Sequence, residues 1–462
     1  MYSKTVRNLL FPLHEKIMKR PTFSFAADLE ETQWLSRDAL KQLQLDKLKA
    51  LLNIAVVHSP WHAERIHNAQ IPLSTGQTPT FADLVRLPTM DKSDAQSHRD
   101  KIAWPGVPGG GSLYNTGGSS GQPLIFYYGK ERQASDAAGR IRARRWWGVD
   151  VGDKEVYLWG APVELAKTDR VKQVRDRLMN QLLLNAFDMS VENMELYTQA
   201  IEKFQPRCIY GYASSLTLLA KHVENRGKPI QLPQLKVVCT TGEPLYPNQR
   251  AAIQQAFGAP VANEFGSRDI GFTAHESPEG QMLLLSENMI LEILNSEGHT
   301  VAPGETGEAV ITGLCSQAQP FIRYRTGDMV KASAEQCTAG RSLHVLGEVV
   351  GRSTDFIIAA DGTIMHALAV IYVLRAIEGI GEFKIIQHST TELEVQFVAS
   401  PTQSDDAHWQ QRAEQEITAQ LKQRLGQSTQ IILNKMDKIP PEKSGKHRYV
   451  VSHVALPDGY TG

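Results

Sequence analysis

The chain has 462 residues, and 49 lysine and arginine residues stand against 50 aspartate and glutamate residues, which gives a formal net charge of -1. This length exceeds what one hydrophobic core usually supports, so two or three domains are expected. The balanced charge argues against a dedicated nucleic-acid-binding protein, because such proteins carry a strong basic excess. Hydrophobic residues make up 42% of the chain and charged residues 21%, which is ordinary for a soluble globular protein.

Cysteine spacing and hydropathy indicate a cytoplasmic protein. No pair of cysteines has a metal-ligand spacing, and a disulfide framework is not expected in a chain of this size. The four cysteines are therefore interpreted as reduced, mostly buried thiols: Cys208, Cys239, Cys315 and Cys337. No apolar run approaches the roughly 20 residues needed to cross a bilayer, so no transmembrane segment is predicted.

The first twenty residues carry scattered positive charge without a continuous apolar stretch, so they are not interpreted as a signal peptide. Apolar residues between Val6 and Ile17 recur at the spacing of an amphipathic helix. A helix packed on the body of the protein is favoured. Weak peripheral contact of this helix with a membrane is the alternative.

Residues 1 to about 105 are predicted to be mainly helical, because apolar residues such as Leu48, Leu51 and Leu52 recur at helical spacing. Pro105–Gly111 then interrupts the pattern. Beyond it, helices alternate with short apolar strands, which predicts an α/β domain with a mostly parallel sheet. The predicted helices are 130–147, 192–204, 214–224 and 247–257, and the predicted strands are 156–159, 208–212, 235–239 and 260–263.

From about residue 281 the pattern changes to strands and turns, which predicts a smaller β subdomain with strands at 282–285, 290–294 and 308–312. A boundary near Gly351 separates it from an α+β segment. In that segment, strands are predicted at 356–358, 383–387, 392–398 and 430–433, and helices at about 366–377 and at 407–425.

Five short segments have the composition of a nucleotide site. The first, Thr116 to Gly121 ahead of Pro123, combines glycines with hydroxyl side chains, and bare amides with hydroxyls suit a phosphate. No Lys-Ser/Thr pair follows it, so a P-loop kinase is disfavoured. The glycine loop is expected to join two strands, and a flexible surface loop is the alternative.

The second and third segments each follow a short apolar strand. Ligands of open α/β sheets bind beyond the carboxyl ends of such strands. The second is Gly242-Glu243-Pro244. The third, Glu264 to Asp269, offers an aromatic ring for stacking, an arginine for phosphate and a carboxylate for Mg²⁺. An ordinary strand-to-helix turn and a salt-bridged turn are the respective alternatives.

The fourth and fifth segments add a carboxylate and a cation. Asp328 follows a tight turn, where it can accept both hydroxyls of a ribose; a structural network with Arg323 and Arg325 is the alternative. Lys446 directly follows Gly445 on a predicted loop that begins with Pro440 and Pro441, and a mobile cation there can stabilise charge that develops on a phosphate. A solvated basic tail is the alternative.

Two further clusters are interpreted as structural. Six aromatic residues could line a pocket for an aryl acid, but their burial in the protein core is the favoured interpretation. They are Trp146, Trp147, Tyr157, Trp159, Tyr210 and Tyr212. A run of four arginines is interpreted as a solvated helix face rather than as a contact for coenzyme A phosphates: Arg140, Arg142, Arg144 and Arg145.

In this order and with these separations, the five segments resemble the adenylate-forming (ANL) superfamily, from about residue 50 to residue 455. The closer resemblance is to the phenylacetate–coenzyme A ligase-like branch, including capsule polysaccharide CapK-like members. It implies an α/β fold with a large N-terminal ATP- and acyl-binding domain, residues 1–350, built of parallel-rich sheets with helices and a small β subdomain. A small mobile α+β C-terminal domain, residues 351–462, would carry the adenylation lysine.

The resemblance also implies a role for each matching residue. ATP or AMP would be bound by Thr116, Gly117, Gly118, Ser119, Ser120, Gly121, Gly242, Glu243, Pro244, Glu264, Phe265, Gly266, Ser267, Asp328 and Arg352. The acyl pocket would be Tyr210, Gly211, Tyr212, Ala213 and Ser214. Lys446 and Arg268 would be catalytic, Asp269 would bind Mg²⁺, and Thr354 would be the hinge. The family usually has Thr and Glu where this chain has Arg268 and Asp269, and Asp or Lys where it has Thr354.

The implied activity is ATP-dependent conversion of a small carboxylic acid to an acyl-adenylate, with release of pyrophosphate and transfer to a thiol. ATP and Mg²⁺ would be the cofactors, with coenzyme A as the expected thiol. One alternative is transfer to an amine or hydroxyl acceptor, such as an amino sugar. Another is a non-catalytic nucleotide-binding homologue. A homodimer is left open.

Overall fold

The computed structural model describes residues 2–73, 77–116, 124–159, 169–186, 188–351, 356–400, 406–439 and 449–454. The helices are α1 (Tyr2–Thr5), α2 (Phe11–Ile17), α3 (Thr22–Thr32), α4 (Arg37–His58), α5 (Pro60–Asn68), α6 (Phe81–Arg86), α7 (Lys92–Ser97), α8 (Arg99–Ile102), α9 (Lys130–Trp146), α10 (Asp169–Leu178), α11 (Val191–Phe204), α12 (Ala213–Asn225), α13 (Pro247–Phe257), α14 (Leu368–Ala376) and α15 (Ala407–Leu425). A π-helical turn, Val6–Leu10, joins α1 to α2.

The strands are β1 (Gly111–Asn115), β2 (Ile125–Gly129), β3 (Glu155–Trp159), β4 (Gln181–Asn185), β5 (Cys208–Tyr212), β6 (Val237–Thr241), β7 (Val261–Ser267), β8 (Gly271–Glu276), β9 (Met282–Leu284), β10 (Met289–Leu294), β11 (Thr306–Gly313), β12 (Tyr324–Lys331), β13 (Val345–Leu346), β14 (Val349–Gly351), β15 (Phe356–Ile358), β16 (Ile364–His366), β17 (Ile380–Ser389), β18 (Glu392–Ala399), β19 (Gln430–Lys435) and β20 (Val450–Ser452).

The chain divides into two compact units. The first unit comprises Met1–Gly117, Leu124–Asp153 and Ala262–Gly351. It holds the N-terminal helices, the antiparallel hairpin of β1 and β2, and the antiparallel neighbours β7, β8, β9 and β13. Strands β10, β11, β12 and β14 form a separate antiparallel sheet. The predicted helical start and the predicted β subdomain are both confirmed.

The core of the first unit lies where α9 packs against the β strands. Leu124, Phe126 and Phe272 are buried there. Gly139 of α9 is a contact point, because a Cβ at this position would come within 2.6 Å of the Phe272 ring. The helix can therefore approach β8 only through a glycine.

The second unit comprises Gly118–Pro123, Lys154–Val261 and Arg352–Gly462. Its first part is a parallel sheet in the order β6, β5, β3, β4, with α11, α12 and α13 between the strands in sequence. Every residue of β5 and β6 is buried, as expected for parallel strands covered on both faces. The predicted α/β alternation with a parallel sheet is confirmed.

The last part of the second unit has a hydrophobic core of its own. Strands β19, β18, β17 and β20 form a mixed sheet, and α14 and α15 contact it. Ile371, Leu393 and Leu421 are fully buried in this core, and its described residues lie between 357 and 450. The predicted α+β character of this segment is confirmed, and a domain boundary between residues 350 and 351 remains a prediction.

Some sequence predictions were displaced or wrong. The strand predicted at 235–239 is Val237–Thr241, and the one predicted at 260–263 extends to Ser267. The prediction of a solvated arginine face is wrong for Arg142, whose side chain is 1% exposed and forms an ion pair with Glu287. Within the described residues, no helix is long and apolar enough to cross a membrane.

Candidate functional site

The two strands that flank the glycine loop are held together at its base. Strands β1 and β2 pair antiparallel with Asn115 opposite Ile125. Beyond them, the amide of Thr116 donates to the carbonyl of Leu124 at 3.0 Å, and the amide of Leu124 donates to the Thr116 hydroxyl oxygen at 2.9 Å. The prediction that this loop joins two strands is confirmed, and Thr116 closes its base.

Arg268 reaches the strand that leads into this loop. Its guanidinium donates to the carbonyl of Asn115 at 3.4 Å and lies 5.7 Å from the centre of the Tyr114 ring. The carbonyl of Arg268 itself accepts a 3.0 Å bond from buried Arg132. A cation thus lies beside the end of β1, within the first unit.

Asp269 is held by two hydroxyl donors. The Ser267 hydroxyl donates to one carboxylate oxygen, and the Tyr324 hydroxyl donates to the other at 2.8 Å. Asp269 is only 6% exposed. Because Tyr324 is the first residue of β12, this bond joins the third predicted segment to the fourth.

The backbone of the third segment requires its glycine. A Cβ at Gly266 would lie 2.4 Å from the carbonyl oxygen of Gly271 on the neighbouring strand. Phe265 is buried in the core of the first unit. Glu264 is also buried, and the side chain of Arg140 lies 3.4 Å from its carboxylate.

The tight turn predicted ahead of Asp328 is wrong, because Tyr324 to Asp328 belong to strand β12. The arginines of this fourth segment have carboxylate partners elsewhere. Arg323 pairs with Glu292 at 2.8 Å, and Arg325 pairs with Glu308. Glu308 also accepts from the amide of Gly327, while the Thr326 hydroxyl accepts from the amide of Asp328. The half-exposed Asp328 therefore sits on a backbone fixed by its neighbours, as a ribose-binding carboxylate would require.

A buried polar layer behind Arg268 was not found from the sequence. Asp136 and Arg132 lie one helical turn apart on α9, and the Tyr128 hydroxyl donates to Asp136 at 2.8 Å. Burial raises the pKa of Asp136, although the positive charge of Arg132 acts against the shift. The Arg-x-x-x-Asp spacing was the signal in the sequence that could have indicated this pair.

In the second unit, the structure brings the predicted acyl and adenine segments together. Glu243 accepts bonds of 2.7 Å from the amide of Ser214 and 2.9 Å from its hydroxyl. Ser214 lies in the first turn of α12, where amides have no partner within the helix. Glu243 therefore caps this helix from a neighbouring strand end.

Both glycines of these segments are needed for close packing. A Cβ at Gly211 would lie 2.7 Å from the carbonyl oxygen of Leu158. Gly242 has a φ of +72°, and a Cβ there would meet the Tyr212 ring at 3.2 Å. The turn after β6 thus follows the side chain of Tyr212 closely.

Aromatic rings line the same strand ends. Trp159 and Tyr212 stack with centroids 4.2 Å apart, and Tyr157 meets Tyr210 edge to face at 5.5 Å. Tyr210 and Tyr212 are buried, and Trp159 is half-buried. The interpretation of these four aromatics as packed core is consistent with the structure.

Arg424 is a charged contact that the sequence did not reveal. It lies near the end of α15 and is buried, and burial lowers its pKa to about 10 against the opposing effect of Asp188 and Glu243. Nearby, Gln423 donates to the carbonyl of Met189 at 2.9 Å. Within the second unit, the charge of Arg424 therefore interacts electrostatically with the carboxylate of Glu243.

The remaining predicted site residues lie outside the described part of the chain. They are Gly117, Gly118, Ser119, Ser120, Gly121, Arg352, Thr354 and Lys446. Their roles remain predictions.

A magnesium role for Asp269 is compatible with its surroundings. Across the described ranges, no group of three or more His, Cys, Asp and Glu side chains could hold a metal ion. Mg²⁺ in phosphate-transfer sites is usually held by one or two carboxylates together with substrate phosphates. Each oxygen of Asp269 already accepts one hydrogen bond but has two lone pairs, so a metal contact remains chemically available.

The chain is similar to several known proteins. Residues 357–453 match the model of the CapK C-terminal domain. The chain is 23% identical to the protein CapK of Staphylococcus aureus over 453 residues, which cover 97% of each chain. It is 25% identical to a phenylacetate-coenzyme A ligase of Aromatoleum evansii over 345 residues, or 72% of this chain and 74% of that one.

A crystal structure of 2-hydroxyisobutyryl-CoA ligase in complex with 2-HIB-AMP and CoA matches with a TM-score of 0.62 and 18% identity over 91% of each chain. The fold is thus that of the adenylate-forming ligases, as predicted. Within that class, the predicted resemblance to the CapK-like and phenylacetate–coenzyme A ligase-like branch is confirmed.

Proposed function

We propose that this chain is an AMP-forming acid–thiol ligase. It activates a small carboxylic acid with ATP and transfers the acyl group to a thiol, with coenzyme A as the expected acceptor. The observation that carries this proposal is a set of contacts around Arg268 and Asp269 in the first unit. Arg268 contacts Asn115 at the start of the glycine loop, and Asp269 next to it accepts from Tyr324 of the Asp328 segment.

The proposed first step transfers an AMP group. A carboxylate oxygen of the acid bonds to the α-phosphorus of ATP while the bond to pyrophosphate breaks. Negative charge accumulates on the phosphoryl oxygens, so cations fixed in advance lower the barrier. Arg268 and Lys446 are proposed as these cations, and Mg²⁺ at Asp269 would neutralise further phosphate charge when bound.

The remaining nucleotide contacts are proposed from the motif roles. Asp328 accepts the ribose hydroxyls, and residues 116–121 hold the β- and γ-phosphates. Gly242, Glu243 and Pro244 form the adenine side, to which Arg352 adds a contact. In the second step a thiol sulfur bonds to the acyl carbon, AMP leaves, and the thiol proton passes to solvent. The segment that carries Lys446 would move about Thr354 between the two steps.

A second acceptor class has its own support. The chain and CapK cover 97% of each other, and residues 357–453 match the model of the CapK C-terminal domain. An adenylating ligase that transfers the acyl group to an amine or hydroxyl, for instance of an amino sugar, is therefore the alternative.

Pyrophosphate exchange into ATP tests the first step with a panel of aryl and short aliphatic acids. We expect acid-dependent exchange in the wild type and its loss in Lys446→Ala, with ATP binding largely kept. Mass spectrometry of products with and without coenzyme A then identifies the acceptor. An acyl amide or ester formed only when an amino sugar is supplied would favour the alternative, and no exchange with any acid would contradict adenylation.

A further inference from the structure

The helical segment from Tyr2 to Ile17 is anchored to the first unit by one side. Val6 is fully buried. Arg7 donates to the carbonyl of Val151 at 3.0 Å and pairs with Asp150 at 3.3 Å. A Cβ at Gly152 would lie 2.4 Å from the carbonyl oxygen of Ser3, so the backbones pack closely. The inner side of this segment is therefore fixed.

Glu15 is the single acidic residue among the first twenty, and it points inward. It is 2% exposed and accepts bonds from Arg20 and Thr22. Burial alone would raise the pKa of Glu15, but the hydrogen bonds from Arg20 and Thr22 lower it overall. Its charge is thus compensated by Arg20 and turned away from solvent.

The opposite side of the segment is apolar and open to solvent. Leu9, Leu13 and Ile17 are 58%, 50% and 69% exposed, at a spacing of four residues that keeps them along one line of the helix. Tyr2 and Met18 are also exposed, near the two ends of the segment. These five residues form the outer face of the segment. Continuous exposed apolar surface of this kind marks an interaction site.

The charges beside this outer face decide between two partners. Lys4 and Lys16 are exposed in the same segment, and Lys19 is exposed just after it. A second copy of the chain would bring the same cations against each other, because a two-fold interface presents one surface to itself. An anionic lipid surface meets both requirements, since it attracts the lysines and accepts the apolar side chains.

We propose that the outer face of residues 2–18 binds the surface of a membrane rich in anionic lipid, with the helical segment lying flat on it. Leucine and isoleucine side chains enter the boundary between headgroups and acyl chains, and the lysines contact lipid phosphates. One short amphipathic segment gives reversible binding. The association weakens as salt concentration rises, because the lysine contribution is screened.

Sedimentation of the full chain with vesicles tests the proposal. We expect binding to vesicles of phosphatidylglycerol and phosphatidylcholine, and much weaker binding to phosphatidylcholine alone. Leu13→Ser with Ile17→Ser should abolish binding. Lys16→Gln and Lys19→Gln should each weaken it by about fivefold, the loss expected for one lysine near an anionic surface. Circular dichroism establishes that the variants remain folded.

Leu196→Ser is the matched control, because Leu196 is 59% exposed on α11 of the second unit. It should bind vesicles as the wild type does. Equal binding of wild type and the Leu13/Ile17 variant would overturn the proposal, as would an absence of binding to either vesicle. Light scattering that shows a dimer converted to monomer by Leu13→Ser would assign this face to a second copy instead.

Discussion

The Tyr324 hydroxyl donates a 2.8 Å hydrogen bond to Oδ2 of Asp269, and so joins the first residue of β12 to the turn that follows β7. Tyr324 is 1% exposed and Asp269 is 6% exposed. Because both side chains are buried, a carboxylate oxygen that loses its hydrogen-bond donor is left without another donor in its place. The bond therefore fixes the orientation of the proposed metal ligand.

Tyr324→Phe should lower the free energy of unfolding by about 1–3 kcal/mol, because it leaves Asp269 with one donor fewer in a buried position. Asp269→Asn should cost less in the Tyr324→Phe background than in the wild type, since the shared bond is already absent. Urea unfolding of the wild type, both single variants and the double variant measures this coupling. Strictly additive effects would show that the two side chains do not act together.

Arg268→Ala should reduce pyrophosphate exchange by about 100-fold or more, because a cation aimed at developing phosphate charge acts mainly in the transition state. ATP affinity measured by calorimetry should change much less. Arg86→Ala is the control, since Arg86 forms a surface pair with Asp83, and exchange should be unchanged in it. A loss of ATP affinity as large as the loss of rate would assign Arg268 to ground-state binding.

Asp328→Asn should weaken ATP binding by about tenfold, because an ionised acceptor of two hydroxyls becomes an amide with one acceptor oxygen. The sharper readout is nucleotide choice: the wild type should prefer ATP to 2′,3′-dideoxy-ATP, and the variant should largely lose this preference. Calorimetry with both nucleotides measures it. A preference that survives in the variant would place the ribose contact elsewhere.

The strands and motif order were predictable because each depends on local pattern. Alternating apolar strands and helices locate β5, α12 and α13 closely, and Gly258 marks the end of α13. The capping of Ser214 by Glu243 was not predictable, because the two residues meet only through the pairing of β5 with β6. The residues that surround Ser214 in the sequence do not indicate that Glu243 contacts it.

The arginines of α9 show the same limit. Their spacing indicates a charged helix, and charged helix faces are usually solvated. Arg142 is buried because Glu287, distant in sequence, supplies a carboxylate for it. Arg132 is buried beside Asp136 and the aromatic rings of Phe126 and Tyr128. Burial of an arginine depends on partners that tertiary structure brings together.

Gly266→Ala should destabilise the protein by about 1–3 kcal/mol, because the added methyl group would lie 2.4 Å from the Gly271 carbonyl oxygen and must displace a strand. Gly381→Ala is the matched control, since its Cβ would lie an ordinary 3.5 Å from the carbonyl oxygen of Val398. Chemical unfolding of both variants compares them. If Gly266→Ala were as stable as Gly381→Ala, β7 and β8 could move apart at this point without loss of free energy of unfolding.

His62 should make stability depend on pH. It is fully buried, its Nε2 lies 2.9 Å from the Pro320 carbonyl oxygen, and its Nδ1 lies 2.7 Å from Arg65. A neutral ring with the proton on Nε2 donates to the carbonyl and accepts from Arg65. Burial, followed by the charge of Arg65, lowers the pKa of His62 to about 3 from 6.5.

The sign of the effect follows from this lowered pKa. Between pH 6.5 and 3 the unfolded chain binds a proton that the folded chain refuses, so stability falls as pH decreases through this range, by about 1.4 kcal/mol per unit. Above pH 6.5 His62 contributes no pH dependence.

In His62→Gln, whose amide can still donate to Pro320, the fall in the free energy of unfolding between pH 6.5 and 5 should be smaller by about 2 kcal/mol. Urea unfolding across that range compares the two proteins, and since burial also lowers the pKa values of His275 and His344, their effects cancel in the difference. Identical pH profiles would show that His62 takes up its proton in the folded state.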